Sequence, residues 1–92
     1  MLYDKIANTT ATIGVVGLGY VGLPLAVEKA KAGFNVIGFD IQGQKVWQIN
    51  CGENYIGDVI PEDLKTLVTS GKLRATTRME QLEYCDIITI CV

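Results

Sequence analysis

The hydrophobic positions of this chain follow two alternating patterns. Short, unbroken apolar runs of strand length are separated by stretches in which apolar residues recur at helical spacing. Unbroken apolar runs are typical of strands in a parallel sheet that is buried on both faces. The predicted strands cover residues 12–16, 34–40, 73–77 and 86–92. The predicted helices cover residues 21–32, 44–50 and 61–70, with a short helical turn over 79–84.

The order of these elements predicts an α/β fold of the Rossmann type. Strands that alternate with helices favour a parallel sheet with right-handed crossovers. We expect the strand order 3-2-1-4, the first half of a doubly wound parallel sheet, truncated after the fourth strand. The 92 residues suffice for one small domain. Residues 1–11 show little pattern and predict a loose arm, so the partial nucleotide-binding domain covers residues 12–92.

Three glycines separate the first strand from the first helix, in the pattern Gly17-x-Gly19-x-x-Gly22. In a dinucleotide-binding unit the first closes the turn, the second lets a pyrophosphate approach the backbone, and the third allows close helix–sheet packing. The helix start adds unpaired N–H groups and the positive end of its dipole. Asp40 ends the second strand eighteen residues after the last glycine and would accept hydrogen bonds from the ribose hydroxyls of an adenosine.

A purely structural interpretation of the same residues stays open. In it the glycines only make turns, and Asp40 is a solvated strand end. The complete strand–turn–helix–strand context favours dinucleotide binding. The charge of Asp40 would repel a 2′-phosphate, and Ile41 after it supplies no compensating cation, so we expect NAD rather than NADP.

Charge and cysteine content exclude several classes of function. The formal net charge is −2 and no basic patch is evident, so we expect no nucleic-acid partner. Residues 6–27 carry no charge, but their glycines, threonines and proline favour a strand, a turn and a helix over a membrane span or signal peptide. Cys51, Cys85 and Cys91 form no CxxC pair, which indicates reduced thiols and a cytoplasmic location. Without any histidine the chain contains no Cys–His nucleophile, and we expect no metal site.

Several segments resemble the amino-terminal domain of the nucleotide-sugar 6-dehydrogenases. This family includes UDP-glucose, GDP-mannose and UDP-N-acetylhexosamine dehydrogenases. The tyrosine and proline of GLGYVGLPLA are not demanded by the general dinucleotide-binding pattern and are specific to the group. The loop 54–59, NYIGDV, is similar to the N-acetylhexosamine branch. The segments that carry the resemblance are IGVVGLGYVGLPLAVEKAKAGFNVIGFD, the pair Lys45-Val46, GKLRATT and DIITICV.

The resemblance implies an NAD-dependent enzyme that oxidises the C6 alcohol of a nucleotide-linked sugar to a carboxylate. The oxidation runs in two steps through a thiol-linked intermediate. The family's catalytic cysteine lies beyond Val92, so the 92 residues alone are expected to be inactive. The intact protein is expected to be a cytoplasmic homo-oligomer that does not bind nucleic acid or membranes. Two rivals remain: a hydroxyacid-type NAD dehydrogenase and a non-catalytic nucleotide-sensing module.

The resemblance also assigns cofactor-binding residues. Gly17, Gly19, Tyr20, Val21 and Gly22 match the phosphate turn, in which the second and third glycine are separated by two residues that contribute backbone N–H groups.

The remaining assignments lie outside the turn. Asp40 matches the ribose acid. Lys45 matches a basic residue that reaches the adenosine side of the cofactor, with a solvated helix lysine as the alternative. Cys91 and Val92 would line the adenine–ribose crevice, with core packing as the alternative. Tyr55 is expected to pack on its own domain rather than to approach substrate or a partner subunit.

Overall fold

The computed structural model describes residues 10–91, which contain four strands, three α-helices and one 3-10 helix. All predicted elements are present in the predicted order, with bounds that differ by one or two residues at fraying ends. The strands are β1 (Thr12–Val16), β2 (Asn35–Phe39), β3 (Leu73–Thr76) and β4 (Ile87–Ile90). The helices are α1 (Gly22–Lys31), α2 (Gly43–Asn50), α3 (Pro61–Thr69) and the 3-10 helix Met79–Tyr84.

The four strands form one parallel sheet in the order β3-β2-β1-β4, which confirms the predicted topology. The chain moves outward from β1 through β2 to β3 and then returns to the other side of β1. The strand order therefore changes direction between β1 and β4. In open α/β sheets, ligands bind in the crevice at the carboxyl ends of the strands that flank such a switch point.

The hydrophobic core lies between one face of the sheet and the helices. Ile13 of β1 and Val36 of β2 are partners in register, and both belong to the buried cluster. Helix α1 buries apolar residues at helical spacing on this face, while its charged residues are exposed. The buried side chains of α1 besides glycine are Leu23, Ala26, Val27 and Ala30. No helix within residues 10–91 is long and apolar enough to cross a membrane.

The structure at each end of the domain can be compared with the prediction from the sequence. Residues 1–9 of the predicted arm lie outside the described residues, and Ala11, its last residue, is fully buried. In β4, Ile87 packs against the core cluster, whereas Ile88 and Ile90 are 47% and 68% exposed on the other face. Apolar side chains on both faces are typical of a strand that is covered on both faces.

The side chain of Asn50 pairs with the outer edge of β3. Its Nδ2 donates to the Ala75 carbonyl oxygen at 2.9 Å, and the Ala75 N–H donates to its Oδ1 at 2.9 Å. These are the two bonds that a further strand would make with this residue. Because unpaired edge groups invite pairing with another chain, the amide protects β3 at this point.

We expect Asn50→Ala to lower the free energy of unfolding by about 1–3 kcal/mol, because the buried Ala75 loses the partners of both its backbone groups. Gln44→Ala, an exposed position on the same helix, serves as the control and should change it by less than about 0.5 kcal/mol. Chemical denaturation of the two variants and the parent measures both effects. Equal midpoints for all three would contradict the proposed role of the amide.

Candidate dinucleotide-binding site

At Gly17 the turn after β1 lies directly against Cys91, the residue that follows β4. Its φ is +93°, a conformation that favours glycine, and its N–H donates to the Phe39 carbonyl oxygen at 2.8 Å. A Cβ at this position would overlap the carbonyl oxygen of Cys91. The backbone of the turn itself therefore requires glycine here.

Gly19 and Gly22 differ in what surrounds them. A Cβ at Gly22 would overlap the carbonyl oxygen of Gly17, so the start of α1 folds directly onto the turn. The sequence predicted close packing of the helix on the sheet. The atoms nearest to that Cβ belong to Gly17, which follows β1, and to Cys91, which follows β4. A Cβ at Gly19 would meet no atom within 4 Å. The open space at Gly19 fits the approach of a pyrophosphate to the backbone.

The start of α1 is suited to an anion. Val21 occupies the N-cap position, no side chain caps the helix, and no acidic residue lies in its first turn. The first paired N–H is that of Leu23, which donates to the Gly19 carbonyl oxygen at 3.2 Å. The side chains of Tyr20 and Val21 are exposed. The unpaired N–H groups at a helix start, with the positive end of its dipole, attract negative charge.

Asp40 is a buried hydrogen-bond acceptor at the end of β2. Only 9% of the residue is exposed, so the alternative of a solvated strand end is wrong. One carboxylate oxygen accepts the Leu18 N–H at 3.0 Å, and the other accepts the Gln42 N–H at 2.8 Å. Each oxygen retains further acceptor capacity. The carboxylate thus joins the glycine-rich turn to β2 and can still accept bonds from a ligand.

A cavity of about 150 Å³ opens beside this carboxylate, at the carboxyl ends of β1 and β2. Its walls are mostly apolar, and they combine the glycine-rich turn with residues that follow β2 and β3. The cavity thus combines apolar walls with one carboxylate on its rim. The lining residues are Val16, Gly17, Phe39, Asp40, Ile41 and Met79.

The other predicted site residues lie at the borders of this region. Lys45 is half-buried in α2 and forms no ion pair with any residue between 10 and 91. Cys91 directly follows β4, where its N–H donates to the Val16 carbonyl oxygen at 2.7 Å and its side chain packs against the core cluster. Its backbone therefore lies against the end of β1 beside the glycine-rich turn, and its side chain is part of the packing. Val92 lies outside the described residues. Residues 10–91 contain no group of side chains suited to a metal ion.

Tyr55 contacts the glycine-rich turn, which the sequence did not indicate. Its Oη donates to the Leu18 carbonyl oxygen at 2.6 Å, so it packs on its own domain, as expected. Burial, and secondarily the charge of Asp40, raises the pKa of Tyr55 to about 12. Leu18 was also missed: it is fully buried between the first two glycines. Its apolar side chain within GLG was the only signal for this anchoring role.

Comparison with known proteins identifies the domain. A family model described as the NAD binding domain of the UDP-glucose/GDP-mannose dehydrogenase family matches residues 11–92. The UDP-N-acetyl-D-mannosamine dehydrogenase of Pyrococcus horikoshii is 41% identical over 81 residues, covering 87% of this chain and 19% of that protein. The protein of the same name from Escherichia coli K12 is 47% identical over 68 residues, covering 73% of this chain and 16% of that protein.

A solved structure gives the same result. The GDP-mannose dehydrogenase of Pseudomonas aeruginosa, solved as a ternary complex, superposes with a TM-score of 0.82 at 33% identity, covering 87% of this chain and 19% of that chain. The chain therefore spans about a fifth of the length of the relatives it matches. The cofactor of the domain is NAD. The chain belongs to the UDP-glucose/GDP-mannose dehydrogenase family, of which it contains the NAD-binding domain.

Proposed function

We propose that the glycine-rich turn binds the pyrophosphate of NAD. The open space at Gly19 admits the phosphates, and the backbone N–H groups of Tyr20 and Val21 donate to them. Gly17 and Gly22 act indirectly, since they allow the turn to close against β4 and against the start of α1. The single observation that carries this proposal is the hydrogen bond from the Leu18 N–H to Asp40, because it joins the phosphate turn and the ribose acid in one structure.

The adenosine half of NAD is assigned to the crevice beside Asp40. The carboxylate accepts hydrogen bonds from the ribose hydroxyls with its remaining acceptor capacity. Lys45 supplies a positive charge on the adenosine side, and Cys91 is assigned to the border of the crevice next to β4. Val92 keeps its sequence-based assignment to the same border and lies outside the described residues. This assignment is supported by the cavity beside Asp40 and by the contact between Gly17 and Cys91.

The intact protein is proposed to be an oxidoreductase that oxidises the C6 alcohol of a nucleotide sugar to a carboxylate in two steps. When bound, NAD would supply the hydride acceptor that each of the two oxidations requires. The alcohol gives an aldehyde, and the aldehyde with water gives the acid. The family match over residues 11–92 favours this function over a hydroxyacid dehydrogenase or a sensing module. The role of the present residues is to bind and orient the cofactor.

The substrate class is proposed to be a UDP-N-acetylhexosamine. The loop 54–59 is similar to that branch, and two relatives at 41% and 47% identity are named UDP-N-acetyl-D-mannosamine dehydrogenases. A cytoplasmic location and assembly of the intact protein into a homo-oligomer remain proposals of the same kind. The inactivity of the 92 residues on their own also stays a prediction, which rests on the absence among them of a cysteine that matches the catalytic motif implied by the resemblance.

We expect Gly19→Val to abolish cofactor binding while the domain stays folded. The Cβ of the new side chain meets no atom within 4 Å, and the side chain occupies the position assigned to the pyrophosphate. Losing two hydrogen bonds to a charged group costs about 3 kcal/mol or more, a weakening of about 100-fold. NADH fluorescence titration and denaturation midpoints give the two readouts. Gly57→Val, also directed into open space, is the control; parent-like NADH affinity in Gly19→Val would show that the phosphates bind elsewhere.

We expect the unaltered protein to bind NAD more tightly than NADP, and Asp40→Ala to reduce that preference by about 10-fold to 100-fold, the value of one hydrogen bond to a charged group. The substitution also removes the acceptor of the Leu18 N–H, a loss that affects NAD and NADP alike. The quantity to measure is therefore the ratio of the NAD and NADP dissociation constants. Asp58→Ala, at an exposed loop aspartate, should leave the ratio unchanged. A parent protein that prefers NADP would contradict the role of Asp40.

We expect the intact protein to reduce NAD in the presence of a UDP-N-acetylhexosamine and to form about two NADH for each sugar oxidised, as two hydride transfers require. The assay follows NADH absorbance with UDP-N-acetylmannosamine, UDP-N-acetylglucosamine, UDP-glucose and GDP-mannose. Turnover confined to UDP-glucose or GDP-mannose would refute the substrate class. NADH binding without turnover of any of the four would refute the proposed activity.

A further inference from the structure

The peptide groups on both sides of Leu18 are held by side chains from two distant segments. The Leu18 N–H donates to Asp40 at 3.0 Å, and its carbonyl oxygen accepts the Tyr55 hydroxyl at 2.6 Å. The Leu18 side chain is fully buried in the core. The one residue between the first two glycines is thus fixed at its N–H, its carbonyl and its side chain.

Fixing the Leu18 carbonyl also fixes the N–H of Gly19. The two groups belong to the same peptide unit, and in a trans peptide they point in opposite directions. No peptide bond in residues 10–91 is cis. The carbonyl points at Tyr55, so the Gly19 N–H points away from the loop that carries Tyr55. Without that hydrogen bond, rotation of the peptide unit would be opposed only by its neighbours in the turn.

We propose that Tyr55 is a positioning residue of the phosphate turn: its hydroxyl holds the Leu18–Gly19 peptide in the orientation in which the Gly19 N–H faces the pyrophosphate of NAD. The inference rests on the proposed cofactor site and adds to it a residue from outside the glycine-rich motif. Tyr55 lies 37 positions from Leu18 along the chain, in the loop between α2 and α3.

The loop is built to hold Tyr55 in place. The Asn54 side chain donates to the carbonyl oxygens of Ile56 at 2.8 Å and Val59 at 2.7 Å, and it accepts the Ile56 N–H at 3.0 Å. Ile56 and Val59 are buried in the core on either side of the exposed loop tip. A hydroxyl carried by such a loop is preorganised, so little conformational entropy is lost when it orients the turn.

The hydroxyl also keeps its proton across the physiological range. Burial and the nearby Asp40 carboxylate raise the pKa of Tyr55 to about 12, because both disfavour the phenolate. At neutral pH the group is therefore a donor, as the contact with a carbonyl oxygen requires. Tyr55→Phe removes this donor and retains the ring.

The test compares ligands with and without phosphates on the intact protein. Affinities of ADP-ribose and adenosine are measured by their displacement of bound NADH, for the parent, for Tyr55→Phe and for Tyr84→Phe. Tyr84 is an exposed tyrosine on the 3-10 helix and serves as the matched control. We expect Tyr55→Phe to weaken ADP-ribose by about tenfold, the value of one hydrogen bond, and to leave adenosine within about twofold. Tyr84→Phe should change neither.

A merely structural role for Tyr55 gives a different result. Equal weakening of ADP-ribose and adenosine would overturn the inference, as would unchanged affinity for both. Asn54→Ala provides a second test that keeps the hydroxyl but loosens its loop, and it should show the same selective loss for ADP-ribose. Unchanged ADP-ribose affinity in a folded Asn54→Ala variant would also count against the inference. Gly19→Val is measured in parallel. Normal NADH binding by Gly19→Val refutes the cofactor site itself. If Gly19→Val loses NADH binding while Tyr55→Phe binds every ligand as the parent does, only the role of Tyr55 is refuted.

Discussion

The hydrogen bond between the Asp40 carboxylate and the Leu18 N–H is the interaction on which the site depends. A buried carboxylate is costly unless it is hydrogen-bonded, and here two backbone N–H groups stabilise it. The same bond ties the glycine-rich turn after β1 to the end of β2, so the domain's own residues join the two halves of the candidate site. A site formed in advance loses less entropy on binding than one assembled around its ligand.

The three glycines of the motif answer to different constraints. Gly17 and Gly22 are required by the fold, because side chains there would overlap the backbone of Cys91 and of Gly17 itself. A Cβ at Gly19 would meet no atom within 4 Å, so packing does not require glycine there, and the proposed pyrophosphate supplies a reason for the missing side chain. This difference matters for interpreting substitutions. A variant at Gly17 or Gly22 that loses cofactor binding reports on the closure of the turn, whereas a variant at Gly19 that loses binding reports on the space beside Gly19.

Much of the fold was predictable because short-range signals agree with its topology. The apolar run over Thr12–Val16 matches β1, and right-handed crossovers leave few alternatives to the order β3-β2-β1-β4. The spacing of the glycines and Asp40 predicted residues that the structure brings together, since Asp40 accepts a hydrogen bond from the glycine-rich turn. The contacts from Asn50 to Ala75 and from Tyr55 to Leu18 were not predictable, since they join residues 25 and 37 positions apart and depend on how the helices and the 51–60 loop are placed. The sequence also left the role of Cys91 open, because the position of a residue at a strand end does not determine whether its backbone or its side chain faces the crevice.

The loop between α2 and α3 connects a segment that resembles one branch of the family with the glycine-rich turn. Its sequence, residues 54–59, resembles the N-acetylhexosamine branch, whereas the turn it contacts has the glycine pattern of dinucleotide-binding domains in general. One hydrogen bond, from Tyr55 to Leu18, joins the two. Asn54 fixes the loop from within, so a change at either position alters how the turn is supported. Substitutions at Tyr55 or Asn54 are therefore expected to act on the glycine-rich turn through this hydrogen bond.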